Sequence, residues 1–214
     1  MRLVLASNNA KKLAELHDLF QGLAVELVAQ GTLGIAEADE PHATFVENAL
    51  AKARHAAAAS GGPAIADDSG LCVHALGGAP GVASAVFAGE VAADAAPGDR
   101  EARRRAQDAA NNALLLERLG RLEGTADRSA YFVSTLVALR HAADPEPLVA
   151  VGRWPGRILH APRGAGGFGY DPLMFIDALG ASVAELPAVT KNAHSHRAQA
   201  AAAMRSLLAG VWRL

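Results

Sequence analysis

The first thirty residues change hydrophobic period twice, and that change commits the chain to one class of fold. "RLVLAS" (2–7) is a short apolar run that breaks at Ser7-Asn8-Asn9. "AKKLAELHDLFQGL" (10–23) then takes up a helical spacing, with Leu13, Leu16, Leu19 and Phe20 on one side and Gly22 as a stop. "VELVAQ" (25–30) returns to a strand pattern. A β-loop-α-β unit of this kind points to an α/β protein.

The remaining segments extend the pattern. Thr44 opens "TFVENALAKARHAAAAS" (44–60), where Glu47 three residues later completes a capping box and the alanines favour helix. Phe45, Ala49 and Ala53 line one face and Asn48, Lys52 and His55 another, which predicts a solvated Lys52. Gly61-Gly62-Pro63 ends that helix, and "PAIA" (63–66) is the next strand. "DREARRRAQDAANNALLLERLG" (99–120) reads as an amphipathic surface helix with a solvated polar side. "AYFVSTLVALRH" (130–141), "EPLVAVGRW" (146–154), "RILHAP" (157–162) and "LMFI" (173–176) read as strands, and Ser195 caps a last helix over 195–210. "GGAPGVASAVFAG" (77–89) is too rich in turn residues for a long element. No repeat or linker divides the chain. The expectation is a single domain over 1–214, α/β, with a long central mixed sheet, flanking helices and two lobes around an active-site groove.

Composition narrows the function classes. The formal net charge of −2 provides no global basic field for nucleic acid. No apolar stretch approaches the ~20 residues that span a bilayer, and the N-terminal apolar run is too short for a secretory signal. The single cysteine, Cys72, leaves no internal disulfide and reads as a buried small hydrophobe. A cytoplasmic protein without nucleic-acid or membrane partners is expected.

Four stretches carry chemistry. In "SNNAKK" a loop feeds a helix N-terminus, where Lys11 and Lys12 are unfavourable unless an anion neutralises them. "AIADDSGL" (64–71) places Asp67 beside Asp68 where the apolar run ends. A lone Asp would suit a turn. A pair suits a hard cation such as Mg²⁺, with another carboxylate from Glu37, Asp39 or Glu40 and one acid acting as a general base. "GAGGFGYDP" (164–172) offers the ring faces of Phe168 and Tyr170 to a planar ligand. "KNAHSHRAQ" (191–199) gathers Lys191, His194, His196 and Arg197 at a helix N-terminus, again suited to an anion. His194 and His196 lack a third soft ligand, so zinc is not expected.

These segments, in order, resemble the motifs of the Ham1/inosine triphosphatase family, from residue 3 to about 208. The resemblance implies hydrolysis of ITP, dITP and XTP to the monophosphate and pyrophosphate, with Mg²⁺ as cofactor, a homodimer, and removal of deaminated purines from the nucleotide pool. Carried over by position, the triphosphate loop is Ser7, Asn8, Asn9, Ala10, Lys11 and Lys12. Lys52 and Ser69 are further substrate contacts. Asp68 is the proton acceptor and a metal ligand, with Asp67 and Glu40 as further candidate ligands. Pro41-His42 stands where the family has Thr-Gly, which keeps Asp39 and Glu37 open for that role. Phe168, Gly169, Tyr170 and Asp171 form the base-pocket string, and Lys191, His196 and Arg197 the last substrate motif. Val86 replaces a common arginine. The competing reading is a non-catalytic purine-nucleotide-binding or regulatory module on the same fold.

Overall fold

The computed structural model describes residues 1–91, 99–122 and 127–214. The chain packs as two compact units. The first comprises Met1–Ser69, Val133–Arg153 and Asn192–Leu214, and the second Gly70–Phe132 and Trp154–Lys191. Strands β1 (Arg2–Leu5), β2 (Glu26–Ala29), β3 (Ala64–Val73), β4 (Ser129–Leu139), β5 (Leu148–Ile158), β6 (Met174–Ile176) and β7 (Ala181–Ser182) join one sheet in the order β2-β1-β3-β4-β5-β6-β7. β1 pairs parallel with β2 and β3, while β6 pairs antiparallel with β5 and β7, so the sheet is mixed as expected. Among the described residues the α-helices are α1 (Ala10–Leu19), α2 (Phe45–Ser60), α3 (Arg100–Gly120), α4 (Ala188–His194) and α5 (His196–Val211).

In the first unit the period of two along the strands sorts side chains onto two faces. Leu3, Leu5, Ile65, Leu136 and Ala138 pack with Leu16 and Phe20 of α1 and with Ala200, Ala201, Met204 and Leu208 of α5. Val4, Ala6, Ala64, Ala66, Val137 and Leu139 pack with Ala49, Ala53, Ala56 and Ala57 of α2. Extended along β3, this alternation puts Asp67 on the α1/α5 face, after Ile65, and Asp68 on the α2 face, after Ala66. The two adjacent acids therefore point to opposite sides of the strand.

In the second unit Leu115 and Leu119 of α3 join Leu71, Val73, Phe132, Trp154, Tyr170, Leu173 and Met174 in one buried cluster. Residues Gly81–Val86 form a short 3-10 turn, in keeping with their turn-rich composition.

The helix caps predicted at Thr44 and Ser195 form, and Asn9 adds one that the sequence reading did not name. Asn9 accepts from the amides of Lys11 and Lys12, Thr44 from Glu47, and Ser195 from Ala198. Three readings change. β3 does not end with the segment 63–66 but runs through both acids to Val73, because ion pairs and hydroxyls take up their charge. The segments 146–154 and 157–162 are largely one strand, β5, in which Pro155 occupies an exposed position. The short elements α4 and β7 have too few residues to show a period and were not anticipated.

Candidate active site

Each acid of the pair has its own cation. On the α2 face, Lys52 Nζ donates to Asp68 Oδ1 and to Glu40 Oε2, both at 2.9 Å. Lys52 is 8% exposed, so the solvated position predicted for it is wrong. Its face of α2 is covered, and the two carboxylates compensate the buried charge. Asn48, one turn earlier, accepts from the His42 amide at 3.0 Å and donates to the His42 carbonyl at 3.2 Å. That clamp fixes the loop carrying Glu40. Of the three acids left open by the sequence, Glu40 is the one that reaches Lys52.

Asp68 is 6% exposed, and its Oδ2 has no hydrogen-bond partner among the described residues. Burial raises the carboxyl's pKa, the neighbouring Glu40 carboxylate adds to that, and Lys52 opposes both; the result is a value pushed up to about 6. A carboxyl tuned in this way changes protonation near neutral pH, as a general base must.

Asp67 lies in the opposite electrostatic situation. Burial would raise its pKa, yet Lys12 and Arg197, with Ser134, hold the carboxyl far below the usual range. Lys12 Nζ approaches Oδ2 at 2.9 Å, Ser134 Oγ donates to Oδ1 at 2.6 Å, and Ser69 Oγ donates to Oδ2 at 2.9 Å. Arg197, 2% exposed, donates to Ser69 Oγ at 3.0 Å and pairs with Glu15 of α1. Thus Lys12, Asp67, Ser69 and Arg197 are brought together. The anion that neutralises Lys12 at its helix terminus is the protein's own Asp67.

The rest of the first loop is arranged around the α1 N-terminus. Ser7 Oγ accepts from the Asn9 amide at 3.2 Å. Asn8 lies so close to Gly31 that a Cβ there would sit 2.7 Å from Asn8 Oδ1. Ala10 begins the helix, and Lys11 contributes its amide to the Asn9 cap. His196 is buried in the first turn of α5.

In the second unit the string Phe168–Asp171, expected from the sequence to form a base pocket, is held from within. The Phe168 amide donates to Asp171 Oδ2 at 2.9 Å and the Asp171 amide to the Phe168 carbonyl at 3.2 Å. Lys191 Nζ donates to Asp171 Oδ2 at 2.9 Å and lies 4.6 Å from the centre of the Phe168 ring. A side chain at Gly167, where φ is +73°, would meet Asp171 Oδ2 at 2.0 Å, so only glycine leaves room for this carboxylate. Tyr170 belongs to the core: its ring is buried and its hydroxyl donates to the Ser84 carbonyl at 2.9 Å. Phe168 is the half-buried ring of the two.

Sequence reasoning missed Glu15 and Ser134, which touch the charged groups, and the role of Asn48, which holds the His42 backbone. Glu15 is an ordinary surface acid by pattern. Ser134 has a signal, as a hydroxyl within an apolar strand run, visible only once β4 is known to neighbour β3.

The site is thus a set of paired carboxylates matched to lysines, one lysine at a helix N-terminus, in an α/β protein. The chain belongs to the Ham1 family, whose sequence profile matches residues 3–207. It is 69% identical over 212 residues to a dITP/XTP pyrophosphatase of Methylibium petroleiphilum, covering 99% of both chains. It is 65% identical over 214 residues to the dITP/XTP pyrophosphatase of Leptothrix cholodnii, covering all of both. Among solved structures, a HAM1 protein from Coxiella burnetii superposes with a TM-score of 0.86 at 40% identity, covering 97% of this chain and 98% of that one.

Proposed function

We propose that this protein hydrolyses the triphosphates of deaminated purines, ITP, dITP and XTP, to the nucleoside monophosphate and pyrophosphate. The chain is an enzyme of the nucleoside triphosphate pyrophosphatase class. The observation that carries the mechanism is Asp68: buried, pushed up to about 6, and with one oxygen unengaged among the described residues.

Asp68 accepts a proton from the water that attacks the α-phosphorus. The new P–O bond forms as the bond to the bridging oxygen breaks, and pyrophosphate leaves. Lys12, Lys52 and the amides of the first loop neutralise the triphosphate, the effect that dominates phosphoryl chemistry. Lys11 faces the same substrate in this reading.

Mg²⁺ fits the donor set. Glu40 and Asp68 already converge on one cationic atom, and all their donors are hard oxygens. Among the described residues no group of three His, Cys, Asp or Glu is gathered for a metal, and Mg²⁺ commonly takes only one or two carboxylates with waters and substrate phosphates. We assign Glu40 and Asp68 as ligands; Asp67, committed to Lys12, Ser134 and Ser69, organises the phosphate side. When bound, the ion would screen charge on the phosphate oxygens.

For the base we assign Phe168 as a stacking face and Lys191 as the cation near the C6 oxygen. The amides of residues 168, 169 and 171 are engaged within the protein and are poor candidates for that contact. An amino group at C6, as in adenine, would face a donor and leave polar groups unpaired. Homodimeric assembly and a cytoplasmic location complete the reading. A non-catalytic nucleotide-binding module is disfavoured, since a sensor has no use for a carboxyl tuned toward neutral pH.

The test is pyrophosphate release from ITP, dITP, XTP, GTP and ATP with Mg²⁺. Preference for the first three supports the reading; equal rates across all five, or none, reject it.

A further inference from the structure

The polar side of α3 is not simply solvated. Gln107, Asp108, Asn111 and Asn112 form two i, i+4 ladders, and each holds backbone of the second unit. Asn111, 2% exposed, accepts from the Ala88 amide at 2.9 Å and donates to the Ser84 and Ala85 carbonyls at 3.3 and 3.0 Å. Gln107 donates to Asn111 Oδ1 at 3.1 Å and to the Gly89 carbonyl at 2.7 Å. The other ladder reaches the base-pocket string. Asp108 Oδ2 accepts from the Gly169 amide at 2.8 Å, and Asn112 Nδ2 donates to the Gly169 carbonyl at 2.9 Å. Gly169 has φ +61°, a conformation with little intrinsic restraint for glycine. Held at both its N–H and its C=O, its peptide groups cannot turn. The string is pinned once more where Tyr170 donates to the same Ser84 carbonyl that Asn111 holds.

We propose that Asp108 and Asn112 are positioning residues for purine selection: by clamping Gly169 they set the orientation of the adjoining Phe168 ring. This rests on the reading that Phe168 and Lys191 meet the base. Neither clamp residue touches the reacting atoms, and so their loss should be felt in KM and base preference rather than in turnover. The side chains also differ in what they can lose. The Asp108→Asn side chain would still offer an amide oxygen to the Gly169 N–H, whereas a carboxylate at 112 would face the Gly169 carbonyl with oxygen against oxygen.

Steady-state kinetics on XTP and ATP test this with Asp108→Leu, Asp108→Asn, Asn112→Asp, Asn112→Ala and Phe168→Ala. Asp108→Leu, Asn112→Asp and Asn112→Ala should raise KM for XTP about tenfold, keep kcat within about twofold, and narrow the XTP-over-ATP preference by a similar factor. Asp108→Asn should stay within about threefold of wild type on both. If Asp108→Leu does not fold, Asn112→Ala reads the same clamp from the carbonyl side. The inference is overturned if Phe168→Ala narrows the preference while folded clamp variants keep it. If Phe168→Ala itself leaves KM and preference unchanged, the base-recognition reading falls, and the inference with it.

Discussion

Replacing Asp68, the carboxyl proposed as the general base, should make this protein more stable. Asp68 is moved by burial, and by Glu40 beside it, from an ordinary value of 3.8 to about 6, with Lys52 only partly opposing. At about 1.4 kcal/mol per pH unit, the ionised form costs the fold about 3 kcal/mol at neutral pH. Asp68→Asn keeps the shape and removes the charge. For a chain of this length that corresponds to a rise in Tm of ~6–12 °C at pH 8, an upper bound because Lys52 loses one of its two partners. The sign follows from linkage. A carboxyl whose folded value lies above its unfolded value adds stability below about pH 4 and loses it as pH rises through about 6. Between pH 8 and pH 5 wild-type protein should therefore gain on the order of 1 kcal/mol relative to Asp68→Asn. Asp67 and Glu40, both lowered, titrate below this window, and Lys52, raised, titrates above it. The assay is thermal unfolding in chelator at pH 5, 6, 7 and 8. An Asp68→Asn protein less stable than wild type at pH 8 would refute the view that this carboxyl is held at the expense of the fold.

Other consequences are open to direct measurement. The Asp68→Asn protein should lose ~10²–10⁴ in turnover, and wild-type kcat/KM should fall at acid pH as Asp68 takes up a proton. Lys52→Gln removes the cation that holds the Asp68 value down, so the acid limb of the pH profile should move to higher pH. Asp67→Asn leaves Lys12 and Arg197 short of a buried anion and should destabilise by ~3–5 kcal/mol, seen as a lower denaturant midpoint. Gly167→Ala meets both a left-handed φ and Asp171 Oδ2, so KM for XTP should rise as the string is displaced, read in the same kinetic assay.

What could be read in the sequence was whatever depended on local spacing. The N-terminal β-loop-α-β unit, the caps at Thr44 and Ser195 and the turn at 81–86 follow from side chains acting on their own backbone. Burial did not follow, because it depends on which surfaces meet. Lys52 looked solvated on a helical wheel, and its burial becomes intelligible only with Asp68 and Glu40 beside it. Nor could the sequence show what holds the acid pair: the hydroxyl that satisfies Asp67 comes from Ser134, sixty-seven residues away. Tyr170 and Phe168 looked equivalent in "FGYDP", yet the packing around Ser84 takes one ring into the core and leaves the other half exposed. The α3 clamp was hidden in a helix whose composition is that of any solvated surface.

The central claim is that Asp68 draws a proton from a water attacking the α-phosphorus. Single-turnover hydrolysis of XTP in ¹⁸O-water, with the products resolved by mass spectrometry, tests it most directly. The account predicts one ¹⁸O in the nucleoside monophosphate, none in the pyrophosphate, and labelling slowed at least about a hundredfold in Asp68→Asn. Label in the pyrophosphate, or release of orthophosphate, would contradict it.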